Sequence, residues 1–263
     1  MISYVVGASM GIGLAVAEKL AARGDDVALF ARRDGPLAEA TRAVEARRRR
    51  ADQRVLGRAL DAADRPRVEA VMAACVAELG APDLLVNCAG RAIPDHFERI
   101  SVAQLDETLR LNLHTCWNPV QVLVPAMKAR GGQIVNVSSL AGLIGVFGYT
   151  DYCAAKFAVV GFSEALRWEL APHGIGVSVL CPPDVDTPGL AREDATKPHE
   201  TRVISEGAKL MSAEAVADAL LAGLARRELV IVPGADGRLA WRAKRLVPGL
   251  VDRLIARRLR RAR

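Results

Sequence analysis

The chain has 263 residues, 51% hydrophobic and 25% charged, long enough for one large α/β domain with a full core and too apolar for a disordered one. No apolar run reaches the roughly 20 residues of a bilayer span, and Met1 leads into a strand-like run without a basic leader or cleavage site, so neither an anchor nor a secretory signal is expected. The net charge of +6 is uneven: nine Lys/Arg and one Asp lie between Trp241 and Arg263, which puts +8 on the tail and leaves the body near −2.

The first apolar run, "ISYVVG", ends in "GASMGIG" and is followed by a helical pattern over Ile12–Arg23. Glycines Gly7, Gly11 and Gly13 in a strand-to-helix turn let backbone N–H groups approach a pyrophosphate, with the helix N-terminus adding favourable partial charge. The spacing is G-x-x-x-G-x-G. The second run, "DVALFA", ends at Ala31, where a carboxylate would bind a ribose 2′-hydroxyl. Arg32 and Arg33 follow instead, and two guanidinium groups suit a 2′-phosphate. NADP(H) is therefore the expected cofactor. The third run, "RVLGRAL", ends at Asp61, a candidate for the adenine amino group.

A helix over Arg65–Leu79 leads to "DLLVNCAG", whose small residues Asn87 to Gly90 let a flat adenosine pack on the backbone. A helix over Leu113–Ala129 leads to "GQIVNVSS", then to an irregular zone, Leu140–Asp151, and a helix over Tyr152–Leu170. "GVSVLCPP" precedes a second irregular zone, Thr187–Lys209. A helix over Ala213–Arg226 and the run "ELVIVP" complete the body. Near-continuous apolar strands alternating with helices predict a parallel sheet covered on both faces, in a doubly wound order. Both irregular zones follow strand C-termini, where such sheets bind ligands.

Tyr152 and Lys156 stand four apart in "YCAAK" and share one helix face. A phenol has a pKa near ~10; a nearby ammonium lowers it. A tyrosine tuned in this way donates a proton to a carbonyl oxygen as hydride reaches the carbon. Ser138 or Ser139 of "NVSS" offers a second donor to that oxygen, and Asn112 in "LRLNLH" relieves the lysine through a backbone kink and water.

These residues resemble the short-chain dehydrogenases/reductases, from Ile2 to about Pro233. The resemblance implies a three-layer Rossmann fold with a seven-stranded parallel sheet in a single domain. "GASMGIG" is similar to the family's cofactor loop, with Val6 for a usual threonine and Met10 for a usual serine, which implies contacts from Gly7, Ser9, Gly11, Ile12 and Gly13. "NCAG" is similar to its Asn-Asn-Ala-Gly stretch and implies contacts from Asn87, Ala89 and Gly90. Asn112, Ser139, Tyr152 and Lys156 fall where its catalytic tetrad stands. Ser139 is preferred to Ser138 because it lies thirteen residues before the tyrosine, and Tyr149 is excluded because Cys153 follows it by four. Tyr152 and Lys156 are also implied to contact the cofactor, Lys156 binding the ribose and lowering the tyrosine pKa. "CPPDVDTP" matches the Pro-Gly-x-x-x-Thr segment with Pro183 for glycine, a stiffer turn. It implies cofactor contacts from Pro182, Val185 and Thr187.

"PPDVDTPGLAREDATKPHETRVIS" and "LIGVFGYTDYCAAKFAV" resemble one branch of the family, the 3-ketodihydrosphingosine reductases. The branch implies NADPH-dependent reduction of a long-chain 3-keto amino alcohol. Other carbonyls, such as a 3-oxoacyl thioester, a hydroxysteroid or a small aldehyde, are the alternatives. A non-catalytic cofactor-sensing or scaffolding module would show a lost tyrosine or lysine, and both are present. Leu140, Leu143, Ile144, Val146 and Phe147 form an apolar loop that packs against substrate, core or another subunit. The stretch 187–210 is expected to be a lid. Within it, Lys197, His199, Glu200 and Arg202 either meet the amino-alcohol head group or tie the lid down.

The expected domain is 1–240, with 241–263 as a basic amphipathic extension whose clean helix runs Gly249–Arg261. Leu246, Leu250 and Leu254 recur at steps of four with arginines opposite, a pattern that adsorbs to an anionic membrane or packs on the body. Without interleaved aromatics or a recognition motif, no nucleic-acid partner is expected. Cys75, Cys88, Cys116, Cys153 and Cys181 have no paired metal-ligand spacing, so reduced thiols and no metal are expected. A cytoplasmic protein, peripheral at most on the inner membrane face, is the corresponding location. The resemblance implies a homodimer or homotetramer.

Overall fold

The computed structural model describes residues 1–206 and 209–262. Gly207 and Ala208 of the expected lid, and Arg263 of the tail, lie outside the described residues. In chain order the elements are β1 (Ile2–Val6), α1 (Gly11–Arg23), β2 (Asp26–Ala31), α2 (Asp34–Glu45), β3 (Val55–Ala59), α3 (Arg65–Leu79), β4 (Leu84–Asn87), α4 (Val102–Leu109), α5 (Thr115–Met127), β5 (Gly132–Val137) and α6 (Thr150–Leu170). They continue as β6 (Ile175–Leu180), β7 (Val185–Asp186), α7 (Pro188–Glu193), α8 (His199–Ser205), β8 (Met211–Ser212), α9 (Ala213–Ala225), β9 (Val230–Ile231), α10 (Ala235–Leu246) and α11 (Pro248–Arg261).

Seven strands form one parallel sheet in the order β3-β2-β1-β4-β5-β6-β9. Alternate strand residues feed two separate cores. Val5, Val27, Leu29, Leu84, Val86, Val135 and Val137 pack under α1, α2 and α9. Tyr4, Val6, Ala28, Phe30, Leu85 and Ile134 pack under α3, α5 and α6. Both faces are dry, so both parities are apolar, and the strands read as continuous hydrophobic runs. The result is the expected three-layer Rossmann fold in a single domain. All five cysteines are unpaired.

The strand order reverses between β1 and β4, which opens a crevice at their C-terminal ends. A cleft of about 710 Å³ occupies it, lined by the loops after β1, β2, β3, β4, β5 and β6. Three stretches differ from the sequence reading. The expected Leu113–Ala129 helix is preceded by α4 and a π-type turn, Arg110–His114, that hands over to α5. The polar stretch Thr187–Lys209 is not a plain loop: it carries α7 and α8 and is fastened at its base by the two-stranded β7-β8 pairing. The tail comprises two helices, and Pro248 occupies the first turn of α11, where its missing N–H costs nothing.

Candidate active site

The glycine turn is built for close approach. Gly7 holds φ of 82°, and a Cβ there would stand 2.6 Å from the Ala89 nitrogen; a Cβ on Gly13 would stand 2.3 Å from the Gly7 oxygen. Backbone thus packs directly on backbone, and the first turn of α1 begins at Met10 without a side-chain cap. Ser9, Met10, Gly11, Ile12 and Gly13 line the cleft. Gly11 lies under Thr187, whose Cγ2 would be 3.0 Å from a Cβ on that glycine. The base of the lid therefore rests on the phosphate loop.

Arg32 and Arg33 line the same cleft, are exposed, and have no carboxylate within 4.0 Å among the described residues. Asp61 also lines it, but its carboxylate is already engaged by the Arg110 guanidinium at 3.0 Å and the Ala63 N–H at 3.1 Å. Burial works against its charge, yet these two donors outweigh it and hold the carboxyl below its ordinary range. Asn87 is placed differently from the sequence reading. It is fully buried, gives its amide N–H to Asn136 Oδ1 at 2.9 Å, and does not line the cleft. Its own Oδ1 has no hydrogen-bond partner. Ala89 and Gly90 do form cleft wall, as do Pro182, Val185 and Thr187.

The structure brings Ser139, Tyr152 and Lys156 together in this wall, with Asn112 behind it. Lys156 Nζ is buried, donates to the Val137 carbonyl at 2.9 Å, and lies 5.5 Å from the Tyr152 ring centroid. Asn112 sits in the π-type turn. It donates to the Arg91 and Thr108 carbonyls at 2.8 and 2.9 Å and accepts from the Arg91 N–H at 3.2 Å. A Cβ on Gly90 would meet both Asn112 Oδ1, at 2.7 Å, and Lys156 Nζ, at 3.1 Å. A side chain at Gly90 would wedge these two groups apart.

The two serines are placed differently. Ser138 is buried and spends its hydroxyl on the Lys156 carbonyl at 2.9 Å. Ser139 caps a short 3-10 turn through the Ala141 N–H at 3.1 Å and is also hydrogen-bonded to Tyr152. The pKa of Tyr152 corrects the expected lowering. With protein groups alone, burial pushes the phenol up and Glu193 adds to the rise, while the Ser139 hydrogen bond pulls down. Burial also pushes Lys156 down. A phenol held above its ordinary value stays protonated but is a weaker acid, so a positive charge beside it would favour release of the proton.

Among the cleft residues, Asp184 and Glu193 escaped the sequence reading, and Tyr149 was set aside there as a proton donor. Tyr149 stacks edge-on to Tyr152 with ring centroids 5.8 Å apart. Its hydroxyl donates to Glu193 Oε2 at 3.4 Å. Burial pushes the Glu193 carboxyl up to about 7; Lys197 opposes that rise and Asp184 adds to it. The sequence signal was the acidic character of "PPDVDTPGLAREDA", which spacing alone could not aim into the cleft.

Around the cleft, Leu140 and Val146 line the wall. Leu143 joins the core beneath, and Phe147 meets the His96 ring edge-on at 5.7 Å. The lid's charged residues mostly hold the lid itself. Lys197 pairs with Asp194 at 2.7 Å, Glu200 with His96 at 3.7 Å, and Arg202 donates to the Lys197 and Asp194 carbonyls. His199 is exposed. The tail returns to this region: α11 packs on α8, and Arg258 donates to the Ile204 carbonyl at 2.9 Å. Val251, Ile255 and Leu259 are half-buried, whereas Leu246, Leu250 and Leu254 remain 79%, 55% and 55% exposed. One apolar row packs on the body and the other faces outward.

The short chain dehydrogenase family model matches residues 2–198, and the chain belongs to that family of oxidoreductases. The 3-ketodihydrosphingosine reductase of Mus musculus is 37% identical over 235 residues, covering 89% of this chain and 71% of that protein. This bears out the resemblance to that branch. Among solved structures, a short-chain dehydrogenase/reductase from Burkholderia phymatum in complex with NAD has a TM-score of 0.82 at 26% identity, covering 95% of this chain and 94% of that one. A short-chain dehydrogenase from Sphingobium yanoikuyae in complex with NADPH has a TM-score of 0.78 at 26% identity, covering 97% and 94%. A nicotinamide cofactor is thus supported.

Proposed function

We propose that the protein reduces the ketone of a long-chain 3-keto amino alcohol, 3-ketodihydrosphingosine, to dihydrosphingosine with NADPH. The observation that carries the reading is the convergence of Ser139, Tyr152 and Lys156 in one cleft with the glycine turn, in a chain 37% identical to a reductase named for that substrate. The glycine cradle that a Cβ would fill, and two guanidinium groups without an acid partner, fit NADP(H). The turn from Gly7 to Gly13 takes the pyrophosphate, and Arg32 and Arg33 take the 2′-phosphate. Ala89, Gly90, Pro182, Val185 and Thr187 flank the rest, and Lys156 reaches the ribose.

Bound there, NADPH supplies the hydride. Tyr152 gives its phenolic proton to the ketone oxygen, which Ser139 orients by hydrogen bonding. The carbon–oxygen double bond becomes a single bond, with one hydrogen on carbon and one on oxygen. Lys156, fixed by the Val137 carbonyl, stabilises the phenolate left behind, and Asn112 anchors a water relay that returns the proton. The apolar wall at Leu140 and Val146 receives the aliphatic chain, with the lid at 187–210 closing over it.

The same reading extends to partners. The outward leucine row and arginines of α11 suit the anionic inner face of a membrane, with the protein otherwise in the cytoplasm. Among the described residues no helix is long and apolar enough to cross a bilayer. Trp117, Phe157 and Trp168 are exposed on α5 and α6, a surface that a second copy of the chain would cover. The test of the reaction is NADPH oxidation against a panel of ketones, with NADH in parallel. Selective turnover of 3-ketodihydrosphingosine supports the reading, and turnover of only short aldehydes or steroids rejects it.

A further inference from the structure

We infer that Glu193 and Asp184 form an ammonium subsite that recognises the amino group next to the ketone. The inference rests on the proposed reaction and names what selects its substrate. Both side chains line the cleft that holds Tyr152 and Ser139. Both carboxylates are close enough to raise the phenols of Tyr149 and Tyr152 electrostatically.

Lys197 bears on Glu193 from a distance, but no cation pairs with it directly. Among the described residues no Lys, Arg or His nitrogen lies within 4.0 Å of Glu193. Lys197, four residues along the lid, is committed to Asp194 at 2.7 Å. Tyr149 is only 7% exposed, lines the cleft, and reaches Glu193 only through a long contact of 3.4 Å. A hydroxyl pair in good geometry is shorter, about 2.5–3.0 Å. Two half-buried carboxylates and an under-satisfied phenol are costly together unless a cation joins them.

In a 2-amino-3-ketone the ammonium is carried by the carbon bonded to the carbonyl carbon. Gripping the oxygen through Tyr152 and Ser139 therefore holds the ammonium close to the reacting carbonyl, where the acidic corner stands. Its charge restores Glu193 to the carboxylate form and cancels the field by which Glu193 raises the Tyr152 phenol. A ketone without the amine leaves the two acids unpaired and is discriminated against.

The test compares kcat/KM for the 2-amino-3-ketone with that for the same ketone lacking the amine. It uses wild type, Glu193→Gln and Asp184→Asn, all as full chains with NADPH. Wild type is expected to prefer the amine by about 10- to 100-fold, the worth of a charged hydrogen bond. Each isosteric substitution is expected to lower that ratio about tenfold, chiefly through KM. Ratios within threefold of wild type in both variants, with the amino ketone still reduced, overturn the subsite and leave the reaction standing. A wild type that reduces other ketones but not the amino ketone overturns both.

Discussion

The two strand-end arginines give the sharpest prediction. Arg32 and Arg33 follow Ala31 at the end of β2, line the cleft, and have no carboxylate within 4.0 Å among the described residues. A hydrogen bond to a charged group contributes about 1.5–3 kcal/mol. Both side chains are exposed, and solvent screening reduces that to about 1 kcal/mol each. Replacing both by alanine should cost about 2 kcal/mol of NADPH binding, roughly 30-fold in Kd at 1.4 kcal/mol per decade. NADH, with no 2′-phosphate, should change less than threefold. Fluorescence titration of each cofactor measures this, and raising the salt should erode the NADPH preference of wild type but not that of the variant. Equal losses for both cofactors would show that the arginines serve the fold or the pyrophosphate, and no loss would remove them from the site.

Gly13→Ala places a methyl group 2.3 Å from the Gly7 oxygen, backbone against side chain with nowhere to relax. Overpacking of this kind costs about 1–3 kcal/mol, so the melting temperature should fall and NADPH affinity should drop at least tenfold; an unchanged Kd would contradict the close-approach account. Leu250→Ser with Leu254→Ser removes two outward side chains from α11 and spares the inward row Val251, Ile255 and Leu259. Half-burying each leucine in lipid contributes about 1 kcal/mol, so sedimentation with anionic vesicles should weaken at least tenfold without a shift in melting temperature. Sedimentation equal to wild type would reject lipid adsorption by this face.

The sheet was legible because each strand is buried on both faces, which writes continuous apolar runs into the sequence. The helix over Arg65–Leu79 matches its expected bounds, with Asp64 capping it through the Arg67 N–H at 3.1 Å. The helices α7 and α8 were illegible because Pro188, Gly189 and Pro198 read as breakers, although Pro188 occupies the first turn of its helix and Pro198 precedes its helix. The convergence of the proposed catalytic residues was legible because Tyr152 and Lys156 share one helix face and Ser139 follows a strand. Glu193, Asp184 and Tyr149 were not, since only the fold of the lid over the sheet brings them together. The place of the Asn87 side chain was not legible either: it serves Asn136 inside the sheet.

The central claim is that the Tyr152 phenol delivers the proton. The direct measurement is NADPH oxidation with 3-ketodihydrosphingosine by wild type and by Tyr152→Phe, alongside cofactor titration of both. General acid catalysis contributes about 10²–10⁴-fold, so kcat should fall by that factor in the variant while NADPH affinity and melting temperature hold. Wild-type turnover by the phenylalanine variant would contradict the mechanism.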